Sequence, residues 1–258
     1  MTPQEAFAEG RLAEAIALQE AVVSVRSADA AARLALVELL AFGGEFDEAR
    51  SHLAIIESDD PAWPTSARAF RRLFRAERRR SHLIRRPTVQ PEPIPRHAKA
   101  RWLAVKALRD GQPELAVRWI DRADRLAPEV RGFVDGREFT GLHDADDRFA
   151  SILETILDGT YVWFPWEAVR RVKLEPAKYT LDRLFRPAEV RLKDGREFAV
   201  HLPLVYPGSH EADGVFAIGL ETDRVCPDEG PIRCIGGKLL LVEDDEIPLA
   251  ECRMIEIR

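Results

Sequence analysis

Several things are scarce in this chain of 258 residues. Cysteine occurs only at 226, 234 and 252, all in the last quarter. An odd number without a close Cys-x-x-Cys pair fits neither a disulfide framework nor a zinc knuckle. Cys226 and Cys234 flank a loop with two prolines and a glycine; buried small side chains are the reading there, and a disulfide or half a metal site is the alternative. No basic segment followed by an apolar run opens the chain, and no stretch approaches the roughly 18 uninterrupted apolar residues of a membrane helix. These absences predict a soluble protein of the cytoplasm, without membrane contact. Excess positive charge is missing too: the formal net charge is −6, which gives no reason to expect nucleic acid as the main partner.

Catalytic signatures are equally sparse. There is no Walker loop, no dinucleotide glycine pattern after a strand, no HExxH and no GxSxG. His52, His82, His97, His143, His201 and His210 are scattered, none at metal-ligand spacing from another. His201 falls in a strand pattern, where an ordinary sheet histidine is the simpler reading. Tyr206-Pro-Gly-Ser209-His210 does set a serine beside a histidine in a tight turn. Sequence neighbours seldom form a nucleophile–base pair, however, and no third orienting group can be named, so the segment reads as a structural loop. The expectation is a protein without catalytic residues, metal or cofactor.

What is present is a repeat. With 46% hydrophobic and 32% charged residues the composition is ordinary for a globular protein, and the length is comfortable for two cores. Gly10-Arg-Leu-Ala-Glu-Ala15, Gly44-Glu-Phe-Asp-Glu-Ala49 and Gly111-Gln-Pro-Glu-Leu-Ala116 share one frame; the first two glycines are 34 residues apart and the third lies 67 further on. That is the tetratricopeptide period. The glycine ends a first helix at a sharp turn, and the alanine lets the second helix pack closely against the first. Leu36, Val37 and Leu40 precede the second turn, Leu53 and Ile56 follow it, and Pro61 closes the unit. Leu103, Ala104 and Ala107, then Ile120, Ala123 and Pro128, repeat this in the last copy. The intervening copy is degenerate: Arg78 stands where the turn glycine belongs, so its first helix, about 64–82, runs on. Four prolines at 87, 91, 93 and 95 then forbid a helix and predict an extended loop, the most exposed break in the helical half.

After about residue 130 the period changes. One amphipathic stretch, Asp147 to Leu157 with Phe149, Ile152, Leu153, Ile156 and Leu157, predicts a helix ended by Gly159. Asp144, Asp146 and Asp147 would cap its start; a divalent-cation reading of the same three lacks the glycine and closing glutamate of a calcium loop. Beyond it come short strands. Residues 189–193 and 196–202 flank Asp194-Gly195, a strong hairpin signal; 238–242 and 246–249 form a second pair; 254–258 is a closing strand. The prediction is an α+β chain in two domains: tetratricopeptide-like helices over 1–130, then over 131–258 a small antiparallel sheet or partly closed barrel with one packed helix.

One surface feature stands out. Between Arg68 and Arg86 there are nine arginines (68, 71, 72, 75, 78, 79, 80, 85 and 86) against one acid, Glu77. Arg68, Arg71, Arg72, Arg75 and Arg79 recur at three- and four-residue steps and share a helical face. A solvated charged face is the plain reading and an acid-binding stripe the functional one. Base stacking is disfavoured, since no aromatics interleave the stripe.

The C-terminal half resembles the ImpE/TagJ family of bacterial type VI secretion accessory proteins. The matching stretches are Asp144-Ala-Asp146-Asp147, Gly159-Thr-Tyr161-Val-Trp163-Phe-Pro165, Leu181-Asp-Arg-Leu184-Phe-Arg-Pro187-Ala188 and Leu202-Pro203-Leu-Val-Tyr206-Pro207-Gly208-Ser209, with Thr222-Asp223 further on. With the repeats they cover nearly the whole chain. Phe185 and Arg224 depart from the family, standing where tryptophans are expected. The resemblance implies a cytoplasmic, non-catalytic adaptor that binds the small subunit of the contractile sheath and thereby influences sheath handling by the Clp-type AAA+ unfoldase. Repeat position then places Leu34, Glu38 and Phe42, Arg68, Arg71 and Arg75, and Arg101, Val105 and Arg109 along one partner-binding groove. The other readings are a repeat scaffold for a different complex and, more remotely, a hydrolase built on the β domain.

Overall fold

The computed structural model describes residues 1–58, 60–81 and 86–258; His82 and Arg85 lie outside them. Helices come first: α1 (Pro3–Ala8), α2 (Leu12–Val25), α3 (Ala30–Phe42), α4 (Phe46–Ala54) and α5 (Trp63–Ser81). A two-residue strand β1 (Thr88–Val89) precedes α6 (Arg96–Arg109) and α7 (Pro113–Leu126). The three repeat turns are built alike. Gly10, Gly44 and Gly111 have φ of +78°, +76° and +71°, and the next amide in each reaches back five residues: Arg11 N to Ala6 O, Glu45 N to Leu40 O and Gln112 N to Ala107 O. This is a left-handed C-cap that satisfies the last helical carbonyls. Ala15, Ala49 and Ala116 are each 0% exposed, so the second helix does close onto the first at the alanine.

The remaining elements are mainly strands: β2 (Arg131–Val134), β3 (Arg137–Thr140), β4 (Leu142–Asp144), β5 (Ile152–Leu157), β6 (Thr160–Pro165), β7 (Val169–Leu174), β8 (Phe185–Leu192) and β9 (Glu197–Pro203). A single-turn helix α8 (Gly214–Ala217) leads to β10 (Thr222–Val225), β11 (Arg233–Gly236), β12 (Leu239–Val242), β13 (Asp245–Pro248) and β14 (Met254–Ile257). Nine strands form one sheet in the order β1-β6-β5-β9-β8-β7-β14-β2-β3, with separate β13-β12-β4 and β10-β11 sheets. The Asp194-Gly195 hairpin and the β12–β13 hairpin form as the sequence predicts. The large sheet is open, with β1 and β3 at its ends, so the barrel alternative does not apply.

Two expectations are corrected. The stretch predicted as the packed helix is a turn followed by β5, which pairs with β6 along its whole length. Phe149, Ile152, Leu153, Ile156 and Leu157 fit a helical face, but Ile152–Ile156 lies in the sheet interior and is buried on both faces. Continuous burial and β-branching decide for the strand. The three aspartates therefore cap no helix. The proline-rich segment is also more than a loop: Thr88 and Val89 pair in parallel with Val162 and Trp163, and Gln90 N donates to Trp163 O. The prolines stay outside the two paired positions, as an edge strand permits.

The two halves share one core. Phe7, Leu36, Phe42, Phe46 and Phe74 of the helices cluster with Ile156, Leu181, Leu184, Phe185, Val205, Ala217 and Ile218. Phe185 is 1% exposed in this shared core, whereas Arg224 reaches Glu246 at 2.6 Å on the surface.

Candidate functional site

In a tetratricopeptide array the first helix of each pair faces the concave side, where ligands lie. Here α1, α3, α5 and α6 are those helices, and the chain's own C-terminal half lies against α3 and α5 and against the second helix α2. The turn Thr180–Arg183 contacts α3, β5 and β6 contact α5, and α8 contacts α2. The approach is close: a Cβ on Gly10 would sit 2.4 Å from Val215 Cγ1, one on Gly44 2.4 Å from His210 Cδ2, and one on Gly214 1.8 Å from Gly10 O.

The single open groove expected from repeat position is therefore not formed. Phe42 is 1% exposed, with its ring edge-on to Phe7 at 5.0 Å. Leu34 is half-buried against the helical core. Glu38 accepts from Leu181 N at 3.4 Å, and burial raises its pKa. Arg101 and Val105 are each 1% exposed; Arg101 donates to Asp147 O at 2.6 Å and pairs with Asp124, and Val105 packs with Phe149 and Trp163. Arg109 is at the surface beside Asp110. The amphipathic faces that suggest a partner's groove are largely consumed by the sheet.

At that junction lies a buried ionic network. Arg80, at the end of α5, grips Glu154 of β5 through Nε at 3.0 Å and Nη2 at 3.2 Å, Glu77 at 2.7 Å and the Val205 carbonyl at 2.9 Å. Lys238 lies 2.8 Å from Glu154 and 2.6 Å from Asp144, with its ammonium 4.8 Å from the Phe149 ring centroid and 4.6 Å from that of Tyr206. Tyr161 donates to Glu154, and Tyr206 donates to Asp144 at 2.8 Å. Burial opposes the Glu154 charge, but Arg80 and Lys238 outweigh it and bring its pKa to about 2. Burial wins at Glu77 and Asp144, whose pKa values are raised. Asp146 accepts from Arg148 at 2.6 Å and from Cys234 N at 2.8 Å. Among the described residues no group of three His, Cys, Asp or Glu side chains is placed to hold a metal ion. The three cysteines are free. The network is suited to holding α5 on the sheet, because each carboxylate is already met by a cation or an amide. A second polar tie joins α6 to the sheet: His97 reaches Ser151 Oγ at 3.0 Å and Glu167 at 2.6 Å. Ser209, the serine of the tight turn, donates to Tyr206 O and accepts from Gly236 N, which makes it a backbone clamp.

Sequence reading missed the network because Arg80 and Glu154 are 74 residues apart. The one available signal was a glutamate inside an otherwise apolar run.

The arginine stripe divides three ways. Arg80 is interior; Arg72 pairs with Asp158 and Arg78 with Asp47. Arg68, Arg75 and Arg79 are exposed and Arg71 half-exposed, and none of the four has a carboxylate partner among the described residues. Arg68 and Arg72 also line a groove with Leu73, Asp158, Ala199 and His201, where burial lowers the His201 pKa. Among the described residues no helix is long and apolar enough to cross a membrane.

Comparison with known proteins places this geometry. The family model described as ImpE protein matches residues 136–256, and a tetratricopeptide repeat model matches residues 6–72. The type VI secretion system accessory component TagJ of Pseudomonas aeruginosa is 30% identical over 266 aligned positions, covering 99% of this chain and 91% of that protein. The crystal structure of protein VPA1032 from Vibrio parahaemolyticus has the same fold, with a TM-score of 0.91 and 21% identity over 99% of this chain and 97% of that one.

Proposed function

The chain belongs to the ImpE family, and from that premise we propose that it is a cytoplasmic, non-catalytic adaptor of a type VI secretion machine. Its partner is the small subunit of the contractile sheath, and through that contact it influences how the Clp-type AAA+ unfoldase handles the sheath. The observation that carries this reading is the cationic face of α5, where Arg68, Arg71, Arg75 and Arg79 have no carboxylate partner within the chain's described residues. A helical repeat with that much unpaired charge on one helix suits a partner segment bearing acids, with charge setting encounter rate and register. Of the residues chosen by repeat position, Arg68, Arg71 and Arg75 remain as contacts, and Arg109 lies at the surface further along; Leu34, Phe42, Arg101 and Val105 act by supporting the fold.

Affinity capture with the tagged full-length chain, in cells that assemble the machine, tests the reading. Both sheath subunits should be enriched over a mock capture. Reproducible enrichment of proteins unrelated to the sheath, with no sheath subunit among them, would favour a scaffold for another complex.

A further inference from the structure

Three of the stretches that carry the family resemblance meet at a cavity that the adaptor role leaves unused. It measures about 290 Å³ and lies between the start of β8, the turn from α8 to β10, and the β12–β13 hairpin. Arg183 and Arg186 come to it from the stretch 181–188, Leu204 from 202–209, and Thr222 from the last pair. No residue of the helical repeats lines it, nor any of the cationic face of α5. The Lys238 ammonium is already taken by Asp144 and Glu154, and the Thr222 hydroxyl donates to Gly237 O at 2.7 Å. Arg186 donates through Nε to Asp182 O at 3.1 Å, and the Arg183 guanidinium lies 5.1 Å from the Phe7 ring centroid. Neither guanidinium has a carboxylate partner among the described residues. The Asp182 carboxylate accepts from Lys178 N at 2.7 Å and Tyr179 N at 3.0 Å, and the exposed Glu251 lines the cavity without pairing with either arginine.

Two half-buried guanidiniums on one cavity leave its charge unmet. Burial lowers the pKa of both, and at Arg186 the Asp182 charge offsets this only in part. A dianion balances two cations, and a phosphate monoester carries close to two negative charges at neutral pH. The guanidinium fork also matches phosphate oxygens with paired N–H donors. A single carboxylate would leave one of the two charges unanswered. The rest of the wall is largely apolar, with Leu204, Ile218, Leu220 and Pro248, which suits an apolar body behind the phosphate. Leu220 is 48% exposed, and such a body would cover it.

We infer that this cavity binds a small phosphate monoester with an apolar body, its phosphate held by Arg183 and Arg186. The site goes beyond the adaptor role and does not depend on which protein meets α5.

The test titrates phenyl phosphate into the intact chain by calorimetry. It should bind saturably, and more tightly than phenylacetate, which lacks the dianion, or inorganic phosphate, which lacks the body. Arg186→Gln should weaken phenyl phosphate by about tenfold or more, and Arg186→Lys, which keeps the charge, should weaken it less. Ala250→Trp fills the cavity from an exposed position and should weaken it as well. Circular dichroism checks that each variant folds, and Ala250→Trp keeps the test decisive if Arg186→Gln does not. Arg71→Glu with Arg75→Glu should leave binding unchanged, which separates this site from the α5 face. The proposal is overturned by no saturable binding of phenyl phosphate, or by equal binding to wild type and a folded Arg186→Gln or Ala250→Trp. Phenylacetate or inorganic phosphate binding as tightly as phenyl phosphate, or loss of binding when the α5 face is reversed, would overturn it too.

Discussion

Glu154 meets Arg80, Lys238 and Tyr161 at once, in a site where its side chain is 0% exposed. Its pKa lies at about 2 in the fold against an ordinary 4.5. A depressed carboxylate contributes stability that is complete above the unfolded value, so this contribution is lost as pH falls from 4.5 toward 2. Glu77 and Asp144 have raised values and act with the opposite sign, binding protons more readily in the fold. Glu154→Gln leaves Arg80 and Lys238 without their shared anion and should lower stability at neutral pH by about 3–5 kcal/mol. Urea unfolding across the acid range should also show the variant without the component lost between 4.5 and 2. An unchanged midpoint and an unchanged acid slope would show that the network holds nothing. Apart from the glutamate within the apolar stretch of β5, little of this was legible from local pattern: the run from Arg78 to Arg80 looks uniformly solvated in sequence, and only the third arginine turns inward.

At the scale of elements, the repeats were legible because their signals are local. Glycine at a positive φ followed five residues on by a fully buried alanine is a requirement of the helical hairpin itself. Gly111→Ala should cost about 1 kcal/mol, from backbone conformation alone, since nothing lies within 4 Å of the added Cβ. Gly44→Ala adds a collision with His210 and should cost clearly more in thermal unfolding; equal losses would argue against the close docking of that turn. β5 was not legible, because apolar residues at 149, 152, 153, 156 and 157 follow the helical period, and only pairing with the neighbours β6 and β9 overrides it. The same holds for β1. Proline excludes a helix locally but says nothing of a parallel partner 74 residues away. Hydrogen exchange at the Gln90 amide should be slow and limited proteolysis should spare residues 87–90; a first cut there would restore the exposed-loop reading.

The whole molecule explains why an α+β composition was readable while the burial of Phe42, Arg101 and Val105 was not. Amphipathic helices announce that one face will be covered, and they do not say by what. Here the sheet covers it, so Arg101 and Val105 become interior, and the helical half shares its core with residues from Ile156 to Ile218. A fragment ending at residue 130 should therefore bind hydrophobic dyes and unfold without cooperativity, whereas a sharp, monomeric transition would show that the halves are independent. What the sheet leaves uncovered on α5 is the arginine face, and the proposed partner contact rests there. The most direct measurement is calorimetric titration of the small sheath subunit into wild type and into Arg71→Glu with Arg75→Glu, at low and high salt, with circular dichroism as the folding control. The reversed face should bind about tenfold more weakly at low salt and with a flatter salt dependence. A folded variant that binds as tightly as wild type, with the same response to salt, would contradict the assignment.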